Sequence, residues 1–444
     1  MYQELLEKIK AAGVVGAGGG GFPAYNKLNA EAKTVIINGA ECEPLLRVDQ
    51  QLMELYAKKI IDGLKCAMQV TGAEEGIIAL KKKYVKASAV LSKVMESHKG
   101  LRLHFLRDIY PAGDEHLLTY DVTGTVIPPA KLPLTAGAVV LNVETAFNLC
   151  NAAEGIPVTA KFVTISGAVE KPGTFNAPLG MAAKDLIAIA GSPSCTDYVV
   201  INGGPCMGSP VTEDSVVTKT TKGFIILPVD HPHAAVFQRN MAVSLKRAKA
   251  VCSQCMQCTE LCPRHLLGHP IEPHRVMRAV AYNMDDPSVL GHAMLCSECG
   301  VCDLFSCPFG LSPRMMNKAI KARAREQGYA VPPPKSGIGV LSVREWQQIP
   351  THRLIKRLEL SEFDKPAPLV CEQIEAYKVR LPLKQHAGLP AVPVVETGDR
   401  VRKGQLIAAM KTGMLGADLH ASIDGVIAIA NGEICIMTEG GGSH

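Results

Sequence analysis

The sequence predicts an α/β multidomain chain whose third segment is helical and cysteine-rich and whose end is all-β. Three observations predict it. Helix and strand patterns alternate through the first third, two cysteine runs at metal-ligand spacing lie between 252 and 307, and short strands recur with glycine turns from 385 to 438. The 444 residues suit about two to four domains.

Taken in order, residues 1–155 read as an α/β domain. Met1–Gly13 has Leu5, Leu6 and Ile9 on one helical face and is expected to be an ordinary packed first helix. A glycine loop follows, then a β-branched strand at Ala32–Asn38, a helical stretch over Leu52–Thr71, and a strand at Ala138–Val143 running into a helix at Glu144–Cys150. Residues 156–235 change character. Val163–Val169 alternates, Lys171–Gly173 turns the chain, Val199–Asn202 and Phe224–Leu227 are further strands, and one helix lies near Ala182–Ile189. This predicts a small β-grasp-like module. Residues 236–330 hold the cysteine runs between helical stretches at Val243–Val251 and Asn317–Glu326. Pro332–Pro334 marks a linker, taken as 331–384, and 385–439 reads as a small β-sandwich. Gly440–His444 is read as an appended tail outside the fold.

Composition excludes several functions. Apolar residues make up 47% and charged residues 20%, ordinary for globular protein. No apolar run approaches the ~18 residues of a membrane span, and Met1–Lys10 lacks the basic start and apolar centre of a signal peptide. A cytoplasmic, non-spanning protein is expected. The formal charge of +5 does not point to nucleic acid, because the basic residues are dispersed and their one dense run, Lys81–Lys83, reads as a solvated helix face. Two thiolate-held iron–sulfur cubes would take away about four charges, leaving about +1.

Fifteen cysteines are present, eight of them between 252 and 307. Such clustering in an intracellular chain indicates metal rather than disulfides. The first run is Cys252-x2-Cys255-x2-Cys258-x3-Cys262-Pro263. The second is Cys296-x2-Cys299-x2-Cys302-x4-Cys307-Pro308, with one extra residue before its last cysteine. Two-residue gaps let three thiolates of one tight loop face the same cube, and the fourth must come from farther away. In two-cluster ferredoxins that fourth cysteine crosses to the other cluster. The expected sets are therefore Cys252, Cys255, Cys258 and Cys307 for one [4Fe–4S] cluster and Cys296, Cys299, Cys302 and Cys262 for the other.

The loop Gly16-Ala17-Gly18-Gly19-Gly20-Gly21-Phe22-Pro23 can bring backbone N–H groups close to a phosphate, with Lys27 available as its partner. It does not follow a strand of a βαβ unit, so it is not a dinucleotide fingerprint. Together with three later segments it resembles the flavin site of the complex I flavin subunit and of RnfC proteins. These are Asn38–Pro44, Tyr110–Glu115 and Asn142–Thr145. The likeness continues through Ser166–Gly173, which resembles an SLBB module, into the double-cluster segment.

The resemblance implies an N-terminal α/β FMN-binding domain, a β-grasp-like SLBB module, a two-[4Fe–4S] ferredoxin-like domain and a C-terminal barrel-sandwich module of RnfC type. It implies that Gly16, Gly18, Gly19 and Lys27 cradle the FMN phosphate and ring. Asn38, Glu41, Gly113, Asp114, Asn142 and Thr145 complete the flavin site, and Phe22, Glu43 and Glu115 help hold NADH. Three positions depart from the complex I pattern: Ala17 for an Arg, Ala40 for an Asp, and Ala30 for an adenine-stacking aromatic. Ala409-Met410-Lys411 resembles a biotinylated turn without its flanking acid and second Met, so an unmodified hairpin is expected.

The sandwich comes last here, and that module order is similar to the cobalamin reductases of propanediol-utilisation microcompartments. It implies NADH as donor, cobalamin as acceptor, an adenosyltransferase and microcompartment shell proteins as partners, and a place inside a bacterial microcompartment. No Asp-x-His-x-x-Gly cobalamin motif is present, so this expectation rests on the resemblance. Two alternatives stand beside it: an RnfC-like electron-input subunit of a membrane-associated ferredoxin:NAD oxidoreductase, and a non-enzymatic cluster-bearing conduit.

Overall fold

In the computed structural model, which describes residues 2–328, 331, 339–370 and 374–438, a parallel four-stranded sheet carries the first domain. The helix α1 (Tyr2–Ala11) buries Ile9 and leans Leu5 and Leu6 on the core, as its periodicity predicts. The strands are β1 (Thr34–Gly39), β2 (Glu75–Lys81), β3 (Leu101–Leu106) and, after the short β4 (Ile109–Tyr110), β5 (Ala138–Asn142). Their spatial order is β3-β2-β1-β5. The chain thus steps outward from β1 and then returns to its other side. That reversal between β1 and β5 is a topological switch point, where open α/β sheets bind ligands beyond the carboxyl ends of their strands. Asn38 and Asn142, the last polar residues of the two strands, stand opposite each other in the register.

Helices cover the sheet because their apolar stripes need a partner. The stretch Leu52–Thr71, expected as one helix, is broken at Tyr56 into α2 (Val48–Leu55) and α3 (Ala57–Thr71). Tyr56 leaves helical geometry with φ −123°, and its ring packs on Phe147 at 5.3 Å and Phe162 at 5.9 Å. Further along lie α4 (Val85–Met95), α5 (Glu115–Thr123) and α6 (Val143–Ala153).

A mixed second sheet comprises β6 (Ala160–Gly167), β7 (Gly173–Pro178), β8 (Tyr198–Asn202), β9 (Ser209–Val211) and β10 (Gly223–Pro228), with a helix at Ala183–Ile189. The segment read as a linker, 331–384, is a correction. Its described part holds β11 (Ile349–Pro350), paired with β4, a helix at Thr351–Arg357, and β12 (Leu369–Val370), which extends the second sheet beside β7. Leu354, Ile355, Leu358, Leu360 and Phe363 enter the main core, and their burial fixes the segment in place. Pro332–Pro334 lies outside the described residues, as does Gly440–His444.

The terminal module consists of β13 (Lys378–Pro382), β14 (Val392–Pro393), β15 (Arg400–Val401), β16 (Leu406–Ala409), β17 (Leu419–His420), β18 (Gly425–Ala430) and β19 (Glu433–Met437). They form two small antiparallel sheets, β13-β19-β18-β15 and β14-β16-β17. The first strand precedes the expected start at 385. Val379 and Leu381 alternate into the core, whereas Lys378 and Arg380 point out.

Candidate functional site

A cavity of about 350 Å³ opens at the β1–β5 switch point. Its walls come from the four segments singled out in the sequence. The glycine loop contributes Gly16, Gly18 and Phe22, and Lys27 stands just beyond it. From the second segment come Asn38, Glu41 and Glu43, from the third Gly113, Asp114 and Glu115, and from the fourth Asn142 and Thr145. Gly19 does not border this cavity. Its φ of +106° is one that residues with a Cβ rarely adopt, and nothing lies within 4 Å of where a Cβ would be.

The loop is closed on itself by Gly16 N–H donating to the Phe22 carbonyl (2.9 Å) and Gly21 N–H donating to the Gly16 carbonyl (3.1 Å). Ala17 N–H donates to Thr145 Oγ1 at 3.0 Å, tying the loop to the first turn of α6. A Cβ on Gly18 would lie 3.3 Å from Asn142, so the loop backbone runs tight along that side chain. Asn142 caps α6 by accepting from Glu144 N–H at 3.0 Å. Asn38 donates to the Gly113 carbonyl at 2.9 Å and brings the second and third segments together. Bare backbone, a helix N-terminus and Lys27 make this end of the cavity suited to an anion.

The carboxylates have different tasks. Glu41 accepts from Asp49 N–H (2.8 Å) and Gln50 N–H (3.2 Å) at the start of α2. Asp114 caps α5, accepting from His116 and Leu117 N–H, and pairs with Arg264 at 2.9 Å. Burial works against its ionisation, yet the Arg264 guanidinium holds its carboxyl below the usual range. Both residues border the cavity while their carboxylates serve the scaffold. Glu115 pairs with Lys27 at 2.8 Å at the mouth. Glu43 lies 3.1 Å from Tyr110 Oη and accepts from Cys206 N–H (2.8 Å), and burial pushes its carboxyl up to about 7.

The cavity also touches the cysteine region. Ser297 and Cys299 line it, and Tyr110 Oη donates to the Cys299 carbonyl at 2.7 Å. The two cysteine runs fold alike. In each, the second and fourth residues after the first cysteine are left-handed: Gln254 and Met256 in one, Glu298 and Gly300 in the other. These kinks curl each loop tightly. The extra residue of the second run is taken up by a single π-helical turn, Cys302–Ser306, whereas the first run uses an α-turn at Gln257–Glu260.

Cys252, Cys255, Cys258 and Cys307 line one small cavity. Burial pushes the Cys258 thiol up to about 12, with Cys307, Cys255 and Cys252 adding to it. Burial likewise raises Cys302, with Asp303, Cys296, Cys299 and Cys262 contributing. A thiol held out of water, as Cys258 and Cys302 are, is unfavourable as a thiolate unless a positively charged centre compensates. The donor sets therefore fit iron–sulfur cubes, and no disulfide competes among the described cysteines.

Sequence reading missed Asp49 and Lys222, which also line the cavity. Neither sits in a local motif.

This combination of a switch-point cavity, a glycine loop and paired cysteine loops defines a flavin- and iron–sulfur-type oxidoreductase. Family comparison agrees: the Nuo51 FMN-binding domain matches residues 9–151, a 4Fe-4S dicluster domain residues 251–312, and the RnfC barrel sandwich hybrid domain residues 367–438. The chain is 43% identical over 440 residues to the cobalamin reductase PduS of Salmonella typhimurium, covering 98% of this chain and 97% of that protein. It is 44% identical over 432 residues to PduS of Citrobacter freundii, covering 96% and 94%. One component of the Na(+)-translocating ferredoxin:NAD(+) oxidoreductase complex of Acetobacterium woodii is 33% identical over 297 residues, covering 65% of this chain and 63% of that component. The chain belongs to the PduS cobalamin reductase family.

Proposed function

We propose that this chain is an NADH-dependent cobalamin reductase, carrying electrons from NADH through FMN and two [4Fe–4S] clusters to cob(III)alamin and cob(II)alamin. The observation that carries this reading is kinship over nearly the whole chain with proteins named cobalamin reductase. The cavity at the β1–β5 switch point supports the flavin part of it. FMN, when bound, accepts a hydride's two electrons and releases them singly to iron–sulfur centres.

The residues divide the work. The backbone of Gly16 and Gly18, in a loop turned at Gly19, and the side chains of Lys27, Asn142 and Thr145 hold the phosphate end. Asn38 and Gly113 shape the wall against the ring, and Glu41 and Asp114 fix that wall by capping α2 and α5. Phe22, Glu43 and Glu115 orient the nicotinamide donor. Cys262, Cys296, Cys299 and Cys302 would hold the cluster beside the flavin cavity. Cys252, Cys255, Cys258 and Cys307 would hold the other, nearer solvent. No side chain is required as a nucleophile, because position and electronic tuning are what the protein supplies.

Among the described residues no helix is long and apolar enough to cross a membrane. An adenosyltransferase that uses cob(I)alamin, shell proteins, and residence within a cytoplasmic propanediol-utilisation microcompartment complete the proposal. The test is an anaerobic spectrum of the purified chain. NADH is expected to bleach the flavin and cluster bands, and cob(III)alamin then to restore them as the cob(II)alamin band grows. Flavin and clusters untouched by NADH would refute the donor assignment.

A further inference from the structure

The cavity has two ammonium groups in its walls, Lys27 and Lys222, against five carboxylates, Glu41, Glu43, Asp49, Asp114 and Glu115. A flavin phosphate brings still more negative charge, so the disposition of these two cations decides whether it can enter. Lys27 is engaged by Glu115 at the mouth. Lys222 comes from elsewhere in the chain. It immediately precedes β10 in the second sheet, and its carbonyl accepts from Thr164 N–H at 3.0 Å.

The Lys222 side chain is only 11% exposed and forms an ion pair with Asp49, itself 5% exposed. The other Asp49 oxygen accepts from Asn142 Nδ2 at 2.9 Å. Asn142 in turn lies against Gly18 and caps α6. A continuous series of contacts therefore runs from the glycine loop through Asn142 and Asp49 to the Lys222 ammonium. Burial works against the charge on Lys222, but Asp49, Glu144 and Glu41 outweigh it and keep the ammonium protonated. An ammonium has three donors, and one contact with Asp49 leaves it able to serve a second acceptor.

We propose that Lys222, held in place by Asp49, is a phosphate-binding residue of the flavin site, so that the second sheet completes a phosphate site whose other residues belong to the first domain. The inference rests on the FMN reading and adds a residue outside the segment matched by the FMN-binding family, 9–151. Removing the ammonium would take away a charge-assisted hydrogen bond and leave Asp49 unpaired beside the phosphate, and both effects weaken FMN binding.

The test uses full-length protein with its clusters in place and its flavin washed out, titrated with FMN and with riboflavin by fluorescence quenching. For Lys222→Met, FMN affinity is expected to fall by roughly tenfold or more, with riboflavin affinity within about twofold of the parent. Lys222→Arg is expected to recover FMN affinity to within roughly threefold. Unchanged FMN affinity in Lys222→Met, or equal loss of both ligands, overturns the proposal. A parent chain that binds neither ligand instead refutes the FMN reading beneath it. Should Lys222→Met fail to yield folded protein, Asp49→Asn decides. Its amide oxygen can still accept from the ammonium while the carboxylate charge beside the phosphate is removed, so FMN affinity is expected to be retained or raised, and a roughly tenfold loss overturns the assignment.

Discussion

The two cysteine quartets share a loop geometry but not an environment. In the inner one, Cys262, Cys299 and Cys302 are 8%, 9% and 8% exposed, and the Cys299 loop forms part of the flavin cavity wall. In the outer one, Cys255 is exposed, and its neighbours Met256 and Phe309 are 41% and 43% exposed. The same sequence device, repeated, thus yields one site closed in by the flavin domain and one open to solvent. Spacing decides what a cysteine loop can hold, and the surrounding fold decides what it can reach.

The comparison can be broken most severely at the cysteines themselves. Cys299→Ser and Cys255→Ser should each remove about half of the roughly eight irons that two cubes contain, as read by iron and sulfide analysis. Loss of all iron from either variant, with the protein still folded, would mean that the quartets are not separate. A smaller effect is expected at Tyr110, whose hydroxyl joins Glu43 to the Cys299 carbonyl. Tyr110→Phe leaves the buried Cys299 carbonyl without this donor and should cost about 1–3 kcal/mol of stability in denaturant unfolding. An unchanged midpoint would show that this contact does not couple the cavity to the inner loop.

A further effect, spread over several pH units, concerns Glu43. Burial raises Glu43 from 4.5 to about 7 in the folded protein. The folded state then holds a proton that the unfolded state has released. The corresponding stability is complete below about pH 4.5 and is lost as pH rises through 7, a difference of up to about 3 kcal/mol. Glu43→Gln should remove this loss, so its thermal midpoint relative to the parent should rise between pH 5 and pH 8. A constant difference across that range would place Glu43 in a solvated setting.

Much of the candidate site was legible because its signals are local. The glycine loop, the Asn38–Pro44 segment and the two cysteine runs each carry their chemistry within a few residues. The place of Cys307 beside Cys252, Cys255 and Cys258 was legible too, since one tight loop cannot enclose a cube. Lys222 and Asp49 were not, because they meet only when the second sheet docks on the first domain, and neither is marked by its neighbours. The 331–384 segment was misread for a related reason. Leu354, Ile355, Leu358, Leu360 and Phe363 are interspersed with charged residues, and the Pro332–Pro334 run dominates the local pattern. The break at Tyr56 depends on Phe147 and Phe162, which lie far away in sequence.

The central claim is that the Cys299 quartet is the flavin-side one. It is tested most directly by adding NADH anaerobically to Cys255→Ser and Cys299→Ser and following the flavin and remaining cluster bands. In Cys255→Ser both bands should bleach, with cob(III)alamin reduction impaired. In Cys299→Ser the flavin band should bleach and the remaining cluster band should persist. The reverse pattern, with cluster bleaching retained in Cys299→Ser and lost in Cys255→Ser, would contradict the account.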